Sequence, residues 1–269
     1  MAHEWHIFPN FAGQASGKLL MKQETKQIFE ELKAFANDEK RTVLTCFFKT
    51  AEGQYGAGDR FLGVTVPQIR VVARAHRDAD TDVPEQLLAS PWHEMRMCGL
   101  IILTLQADAL DRRVSKGDAQ ATAIRQGLID CYLSHTDRIN NWDLVDLSAP
   151  TVIGRYLINK PRDVLYRLAD SPRLWDNRIA MVSTLALIRA GQLEDTYQLA
   201  VRFMHHPHDL MHKAVGWMLR EAGKRDTQRL YTFVKAHRGD MPRTMLRYAI
   251  ERFDADTKKQ LMQKPERHS

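Results

Sequence analysis

The chain has 269 residues, of which 44% are hydrophobic and 27% are charged, so it can bury a sizeable core and is not expected to be disordered. Its 39 lysine and arginine residues exceed its 33 aspartate and glutamate residues by six, a basic excess that suits nucleic acid but is common among soluble proteins. No stretch approaches the roughly 18 apolar residues of a membrane span and no secretory signal opens the chain, which predicts a soluble protein of the cytoplasm.

The first helix is expected only after an irregular start. Residues 1–20 contain Pro9 and several Gly and Ser residues without helical periodicity, which predicts an irregular N-terminal extension. From residue 21 onward the chain is amphipathic, since Ile28, Leu32 and Phe35 recur at i, i+4 and i+7. The sequence therefore predicts a helix that begins near residue 21.

Helical segments separated by short polar breaks account for the rest of the chain. Glycines cluster over residues 51–63, which predicts a loop, and Pro67 then favours the first turn of a new helix. The polar breaks that follow lie between segments of mostly 10 to 18 residues, a usual helix length. Because no run alternates β-branched with polar residues, we expect an all-α protein.

Four of the segments resemble one another. Each carries a basic residue near its start, followed by small and aliphatic residues: Arg96, Arg178, Lys213 and Arg247. Arg96 and Arg178 are separated by two steps of 41 residues, and the next intervals are 35 and 34 residues. A period in this range with two helices per repeat is typical of HEAT-like repeats. It predicts a right-handed α-α superhelix, a solenoid, as a single domain over residues 21–258, with a polar tail at 259–269.

The repeated basic residues predict a concave basic surface. Stacked in register along a superhelix, they could form a track for DNA phosphates. A single Arg or Lys on a helix is more often simply solvated, so this prediction depends on the common spacing of the four residues.

The segment 138–150 contains the most unusual combination of side chains. Trp142 and Asp146 are four residues apart and so share one face of a helix. The ring can hold an apolar or cationic group, and the carboxylate can stabilise positive charge or orient water. The alternative is that Trp142 belongs to the core and Asp146 to the helix surface.

Tryptophans also pair with cations at helical spacing. Lys213, Trp217 and Arg220 share one face, and Trp92 and Trp175 each precede a basic residue by three or four positions. Any one tryptophan is more often structural, yet the repeated pairing fits a surface where basic groups hold phosphates and rings contact sugars or bases.

Several segments resemble the AlkD-like alkylpurine DNA glycosylases, a DNA alkylation repair family built from HEAT-like repeats. The resemblance covers roughly residues 24–255, and its elements are specific in combination rather than singly. The segments are NNWDLVDLSAPTVIGRYL (140–157), LWDNRIAM (174–181) and MHKAVGWMLREAGK (211–224), supported by FLGVTVPQIR (61–70) and MPRTMLRYAIERF (241–253).

The resemblance implies a DNA repair glycosylase that hydrolyses the N-glycosidic bond of cationic N3- or N7-alkylated purines, such as 3-methyladenine and 7-methylguanine, in duplex DNA. It implies that Asp146 stabilises an oxocarbenium-like sugar and places a water molecule, without a pocket for the base. It places Trp142 and Trp217 as the flanking aromatic pair, and Arg178 at the adjacent phosphate region.

The expected partner is double-stranded DNA, contacted by Lys213, Arg220, Arg96 and Arg247. We expect a monomer that uses no metal and no small-molecule cofactor. No lysine lies within WDLVD to form a Schiff base, so a monofunctional enzyme is predicted.

One segment departs from the family. Residues 49–60 read KTAEGQYGAGDR, a longer and more glycine-rich link than is usual there. The segments GAGDRFLGV (56–64) and MPRTMLRYAIERF (241–253) resemble a non-canonical branch of the family, for which altered lesion recognition is implied. Two other functions therefore stay open. The chain could be a non-catalytic protein that binds damaged or branched DNA, or a HEAT scaffold for a protein partner.

Overall fold

The computed structural model describes residues 22–263, and over this range the chain is all helical, as predicted. A 3₁₀ turn at Thr136–Arg138 and a π-helical segment at Pro150–Gly154 join the α-helices, and no strand occurs in the described range. The α-helices are α1 (Gln23–Lys33), α2 (Asp38–Phe47), α3 (Val66–Ala75), α4 (Asp82–Leu88), α5 (His93–Val114), α6 (Ala119–Ser134), α7 (Trp142–Ala149), α8 (Arg155–Leu157), α9 (Asp163–Ala169), α10 (Leu174–Arg189), α11 (Glu194–Arg202), α12 (Asp209–Gly223), α13 (Thr227–His237), α14 (Arg243–Ala249) and α15 (Ala255–Met262).

Local chemistry explains where many helices begin. α3 begins with a capping box formed by Thr65 and Gln68 and carries a proline in its first turn, as the sequence predicted. Asn37 accepts the backbone N–H of Lys40 at 2.8 Å at the start of α2. An aspartate does the same for α6, α13 and α15. These side chains satisfy N–H groups that a helix start leaves without a partner.

The helices form a solenoid of stacked pairs. α3, α5, α7, α10, α12 and α14 contact one another in succession, and α4, α6, α9, α11 and α13 pack beside them. The four segments that the sequence aligned lie on α5, α10, α12 and α14, and α7 fills the double interval between the first two. One pair cannot bury its own apolar face, so stacking produces a continuous core.

The core is deepest around α5 and α10. Thirteen residues of α10 are buried, because neighbouring helices surround it. α12 and α14 approach closely at Gly216, where an added Cβ would lie 2.5 Å from Cβ of Tyr248 and 2.6 Å from the carbonyl oxygen of Met245. A larger residue at this position would push the two repeats apart.

The helix that begins at α7 changes its hydrogen-bond pattern without ending. Pro150 has no N–H group and cannot donate to the carbonyl of residue 146, so the chain widens into the π-helical segment before it continues as α8. The side chains of α7 are thereby offset from those that follow on the same helix.

Two boundaries differ from the sequence predictions. α1 ends at Lys33, so Phe35 lies beyond the helix and is partly exposed, whereas Ile28 and Leu32 are buried as predicted. α15 extends to Met262 and buries Leu261, so the fold runs past residue 258 into the predicted tail. The predicted irregular extension at 1–20 and the tail residues after 263 lie outside the described residues. No helix within the described range is long and apolar enough to cross a membrane.

Candidate active site

An ion pair between Asp146 and Arg178 joins α7 to α10. Nε and Nη2 of Arg178 donate to Oδ1 and Oδ2 of Asp146 at 2.9 and 2.8 Å. Nη1 of Arg178 donates to the carbonyl oxygen of Leu210 on α12 at 2.6 Å. Three successive helices of the stack therefore meet at one guanidinium, whose two-pronged contact fixes the plane of the carboxylate.

The carboxylate of Asp146 is nearly buried, with 21% of its side chain exposed. Burial raises its pKa above the ordinary value, although hydrogen bonds and charge from Arg178 lower it and nearby Asp143 raises it further. The carboxylate is held beside a permanent cation and remains open on one side. An anion in such a place can stabilise a positive charge that develops next to it.

Aromatic rings surround the start of α7. The ring of Trp142 lies 5.5 Å from that of Phe48 and 6.0 Å from that of Phe47, between ring centroids. The ring of Phe48 also stacks on Phe61 at 5.2 Å. Asn141 caps this helix by accepting the N–H of Trp142 at 2.9 Å. Trp142 therefore follows the capping residue directly and packs against the aromatic cluster, one turn before Asp146.

A largely apolar cavity of about 720 Å³ opens beside Asp146 and Trp142. It lies between α2, α3, α5 and α7. Within the part of the chain that the structure describes, α2 buries none of its ten residues, and Phe47 at the cavity is 59% exposed. α2 therefore packs only loosely over the cavity. The other lining residues are Glu39, Lys40, Val43, Leu44, Phe48, Phe61, Val64, Thr65, Val66, Ile69, His93, Glu94, Met97, Asp143 and Leu147.

A second charged cluster lies next to the first and joins α5, α7 and the glycine-rich loop. Nδ1 of His93 faces Oδ2 of Asp59 at 2.7 Å, and Nε2 faces Oδ2 of Asp143 at 2.8 Å. Arg96 bonds to Asp59 and to Oδ1 of Asn140. Burial opposes the charged imidazole, but the two carboxylates outweigh it and raise the pKa of His93 to about 9. Burial also opposes the charge on Asp59, yet His93 and Arg96 lower its pKa.

Sequence reasoning missed His93 and Asp59. The two residues are 34 positions apart, and the side chain of each is 2% exposed or less. Neither belongs to a recurring motif. A buried histidine between two acids arises from how the loop folds back on α5, so no local pattern could have indicated it.

Two of the predicted surface cations are buried, which corrects the sequence prediction. Arg96 is 2% exposed and bonds to Asp59, Asn140 and the carbonyl of Ser90, so it cannot contact a phosphate. Arg178 is likewise buried and bonded to Asp146 rather than open to a phosphate. At these positions of the repeat the cation bonds to an acid of a neighbouring segment, because an unpaired buried charge would be costly.

The other predicted cations lie on α12 and α14. Lys213 is partly exposed and contacts Asp209 at 2.9 Å, one turn earlier on the same helix. Arg220 pairs with Glu251 and is partly buried. Arg247 is exposed on α14. Acidic neighbours therefore partly neutralise the cations that the sequence predicted for a concave basic surface.

Trp217 lies on α12, partly buried against the core. α12 is also the helix whose Leu210 carbonyl accepts from Arg178. Trp142 and Asp146 on α7 are linked in this way to the helix that carries Trp217.

The glycine-rich loop crosses several repeats. One end is held by the buried Asp59. In its middle, the ring of Tyr55 lies 6.0 Å from that of Trp175 and 6.5 Å from that of His208, residues that precede or begin α10 and α12. A Cβ at Gly56 would collide with the backbone of Phe48. The longer link seen in the sequence therefore reaches from α5 towards the segments that flank Arg178.

The family model described as DNA alkylation repair enzyme matches residues 28–253, a range that includes both charged clusters. A solved structure from Enterococcus faecalis, described as a predicted DNA alkylation repair enzyme, is similar with a TM-score of 0.61 and 12% identity, over 82% of this chain and 97% of that one. At this identity the likeness concerns the fold. No curated protein sequence gives a significant match.

Proposed function

Because the chain belongs to the DNA alkylation repair enzyme family, we propose that it is a monofunctional DNA glycosylase that excises cationic N3- or N7-alkylated purines from duplex DNA. The observation that carries this proposal is the carboxylate of Asp146, fixed by Arg178 and open on one side beside Trp142. We further propose that the protein acts as a monomer in the cytoplasm and needs neither a metal ion nor a cofactor.

The reaction requires little from the protein beyond electrostatic stabilisation. An alkylated purine that already carries positive charge leaves with the electron pair of its bond to C1′ and becomes neutral. The sugar then carries the positive charge as an oxocarbenium-like species. Asp146 stabilises this charge, a water molecule adds to C1′, and the proton that the water loses passes to the carboxylate or to solvent.

The aromatic residues act on the same cation. The faces of Trp142 and Trp217 attract a positive sugar or base and keep bulk water away from it. The structure supports this role for Trp142 directly through its position one turn before Asp146. For Trp217 the support is its place on α12, which is bonded to Arg178 through Leu210.

Arg178 has a different role from the one that the family resemblance implied. Its guanidinium is occupied by Asp146 and the Leu210 carbonyl, so we assign it to orienting the carboxylate. We assign the phosphate contacts to Lys213 on α12 and Arg247 on α14, which reach solvent. Arg220 contributes if its pair with Glu251 opens on binding.

A non-catalytic DNA-binding protein is the second candidate. It is favoured by the closed pairing of Asp146 with Arg178, which neutralises the carboxylate before any substrate arrives. Such a protein would bind damaged or branched duplex DNA with salt-dependent affinity and release no base.

Release of free base from duplex DNA that contains 7-methylguanine or 3-methyladenine separates the two candidates. The glycosylase proposal expects release by the unaltered protein and a loss of roughly a hundredfold or more in Asp146→Asn. Asp195→Asn is the matched control, since it removes an acid from another Asp–Arg pair, with Arg162 on the α9–α11 side of the molecule. No release by the unaltered protein, with duplex binding intact, would favour the binding protein.

A further inference from the structure

In the charged clusters described above, His93 is the only ring that bonds to two separate segments of the chain. Through Nδ1 it bonds to Asp59 at the end of the glycine-rich loop, and through Nε2 it bonds to Asp143 in the first turn of α7. The ring is 2% exposed. The imidazole therefore links the loop directly to α7, beside Arg96, which joins Asp59 to Asn140 just before that helix.

The geometry favours a proton on both ring nitrogens. A carboxylate oxygen only accepts hydrogen bonds, and a neutral imidazole has a single N–H group. With two carboxylates at 2.7 and 2.8 Å, a neutral ring would direct a lone pair at one of them. The imidazolium form satisfies both, in agreement with the raised pKa of His93.

The residues around His93 belong to the candidate active site. Asp143 lies directly after Trp142, and its carboxylate also accepts the N–H of Leu144 at 2.8 Å, which fixes the first turn of α7. The ring of His93 stacks against Phe61 at 4.6 Å and lies 5.1 Å from Phe48, which in turn contacts Trp142. Both the hydrogen bonds and the rings link His93 to the aromatic residue beside Asp146.

We infer that His93 is a positioning residue that clamps the glycine-rich loop to α7 and so sets the places of Trp142 and Asp146, an inference that rests on the function proposed for that site. The clamp works through its two hydrogen bonds to Asp59 and Asp143. Because its ring is 2% exposed, we assign His93 a role through these bonds rather than through contact with sugar or base.

The neighbouring charges show why the clamp depends on the proton. Four carboxylates lie around the two clusters, those of Asp59, Asp143, Asp146 and Glu94, and the last accepts the backbone N–H groups of Leu62, Gly63 and Val64. The cations that oppose them are Arg96, Arg178 and protonated His93. Loss of the His93 proton leaves two guanidinium groups against four carboxylates, with Asp143 losing its cationic partner. The link between loop and helix should then loosen.

Nuclear magnetic resonance can test the clamp without any enzymatic activity. The unaltered full chain, with labelled histidine and tryptophan, is titrated from about pH 6 to about pH 10. Trp142→Phe identifies the indole signal of Trp142. We expect His93 to titrate near pH 9, and the Trp142 indole and the amides of residues 50–59 to follow with the same midpoint. Asp143→Asn should lower all these midpoints by about one unit or more, since it removes one stabilising anion.

Two results would overturn the inference. One is a His93 midpoint near the ordinary value of 6.5. The other is a Trp142 indole signal and loop amides that do not move when His93 titrates. Both are read from the protein alone, so a failure of the proposed glycosylase function leaves this test intact.

If base release is observed, its pH profile adds a functional test. Single-turnover release by the unaltered protein should fall as the pH rises through about 9, and the fall should begin at lower pH in Asp143→Asn while duplex affinity stays within about twofold. Asp111→Asn is the matched control, because it breaks a buried-arginine pair with Arg125 away from the site. An alkaline limb that is identical in the Asp143 variant and the control would contradict a positioning role.

Discussion

Asp146 and Arg178 face each other in a two-pronged ion pair, with N–O distances of 2.9 and 2.8 Å, that fastens α7 to α10 in the middle of the solenoid. The family resemblance implied a catalytic role for the carboxylate and a place at a phosphate for the guanidinium. Their pairing makes the arginine part of the carboxylate's own support, which changes what a substitution at either position is expected to do.

Substitution of Arg178 should shift the pH dependence of base release. In Arg178→Gln the carboxylate of Asp146 loses the cation that lowers its pKa, so this pKa rises further. Because the ionised carboxylate is the active form, the acid limb of the rate profile should move to higher pH. Rates measured between about pH 4 and about pH 8 check this.

The same change should cost stability, by roughly 3 kcal/mol, since it leaves a nearly buried carboxylate without its partner. Arg162→Gln, which breaks the comparable pair with Asp195, is the control for stability loss alone. An acid limb that stays in place in Arg178→Gln would show that Arg178 does not tune Asp146.

Removal of the Trp142 ring should slow base release more than it weakens duplex binding. A ring face beside a cation contributes about 0.5 to 2 kcal/mol, so Trp142→Ala should reduce the single-turnover rate by roughly tenfold. Trp217→Ala should act in the same direction if the two rings form the proposed pair. Trp92→Ala, at another partly buried tryptophan, serves as the control. Equal losses in all three variants would indicate a general packing defect.

Charge removal on α12 and α14 should reduce the salt dependence of duplex binding. If Lys213 and Arg247 contact phosphates, each substitution by Gln should lower the slope of log affinity against log salt by about 0.9. Fluorescence anisotropy with a labelled duplex at several salt concentrations measures this slope. Arg113→Gln at the far end of α5, where Arg113 pairs with Asp118, should leave it unchanged. Slopes that do not differ from the unaltered protein would remove these residues from the interface.

The stability of the protein should fall as the pH rises through the range in which His93 loses its proton. The pKa of His93 is raised from 6.5 to about 9, so the protonated ring stabilises the folded chain fully below pH 6.5 and no longer does so above about 9. The difference between these limits is roughly 3 kcal/mol, from about 1.4 kcal/mol per pKa unit.

Denaturant unfolding of the unaltered protein and of His93→Gln, at pH 6 and at pH 9.5, measures this loss. The variant should be less stable at the lower pH and should lose much less stability than the unaltered protein on going to the higher one. The same decrease in both proteins would assign the effect to other groups.

The helical content and the stacking were predictable because both arise from local patterns. The helical spacing of apolar residues predicted that Ile28 and Leu32 are buried on α1, and Pro67 indicated where α3 begins. The similarity of four segments predicted a helical repeat, and the structure places all four in the same succession of helices. Trp142 and Asp146 could be placed on one face since they are four residues apart on one helix.

The sequence by itself thus determined the fold class, the repeat and the segment of α7 that carries the candidate carboxylate. The tertiary structure decided which charges meet. Arg178 lies 32 residues from Asp146, and Arg96 lies 37 residues from Asp59, so no periodic pattern in the sequence indicates either pair. A basic residue on a helix can face water or a neighbouring acid equally well, and burial against that acid is settled only when the repeats stack and remove both charges from solvent.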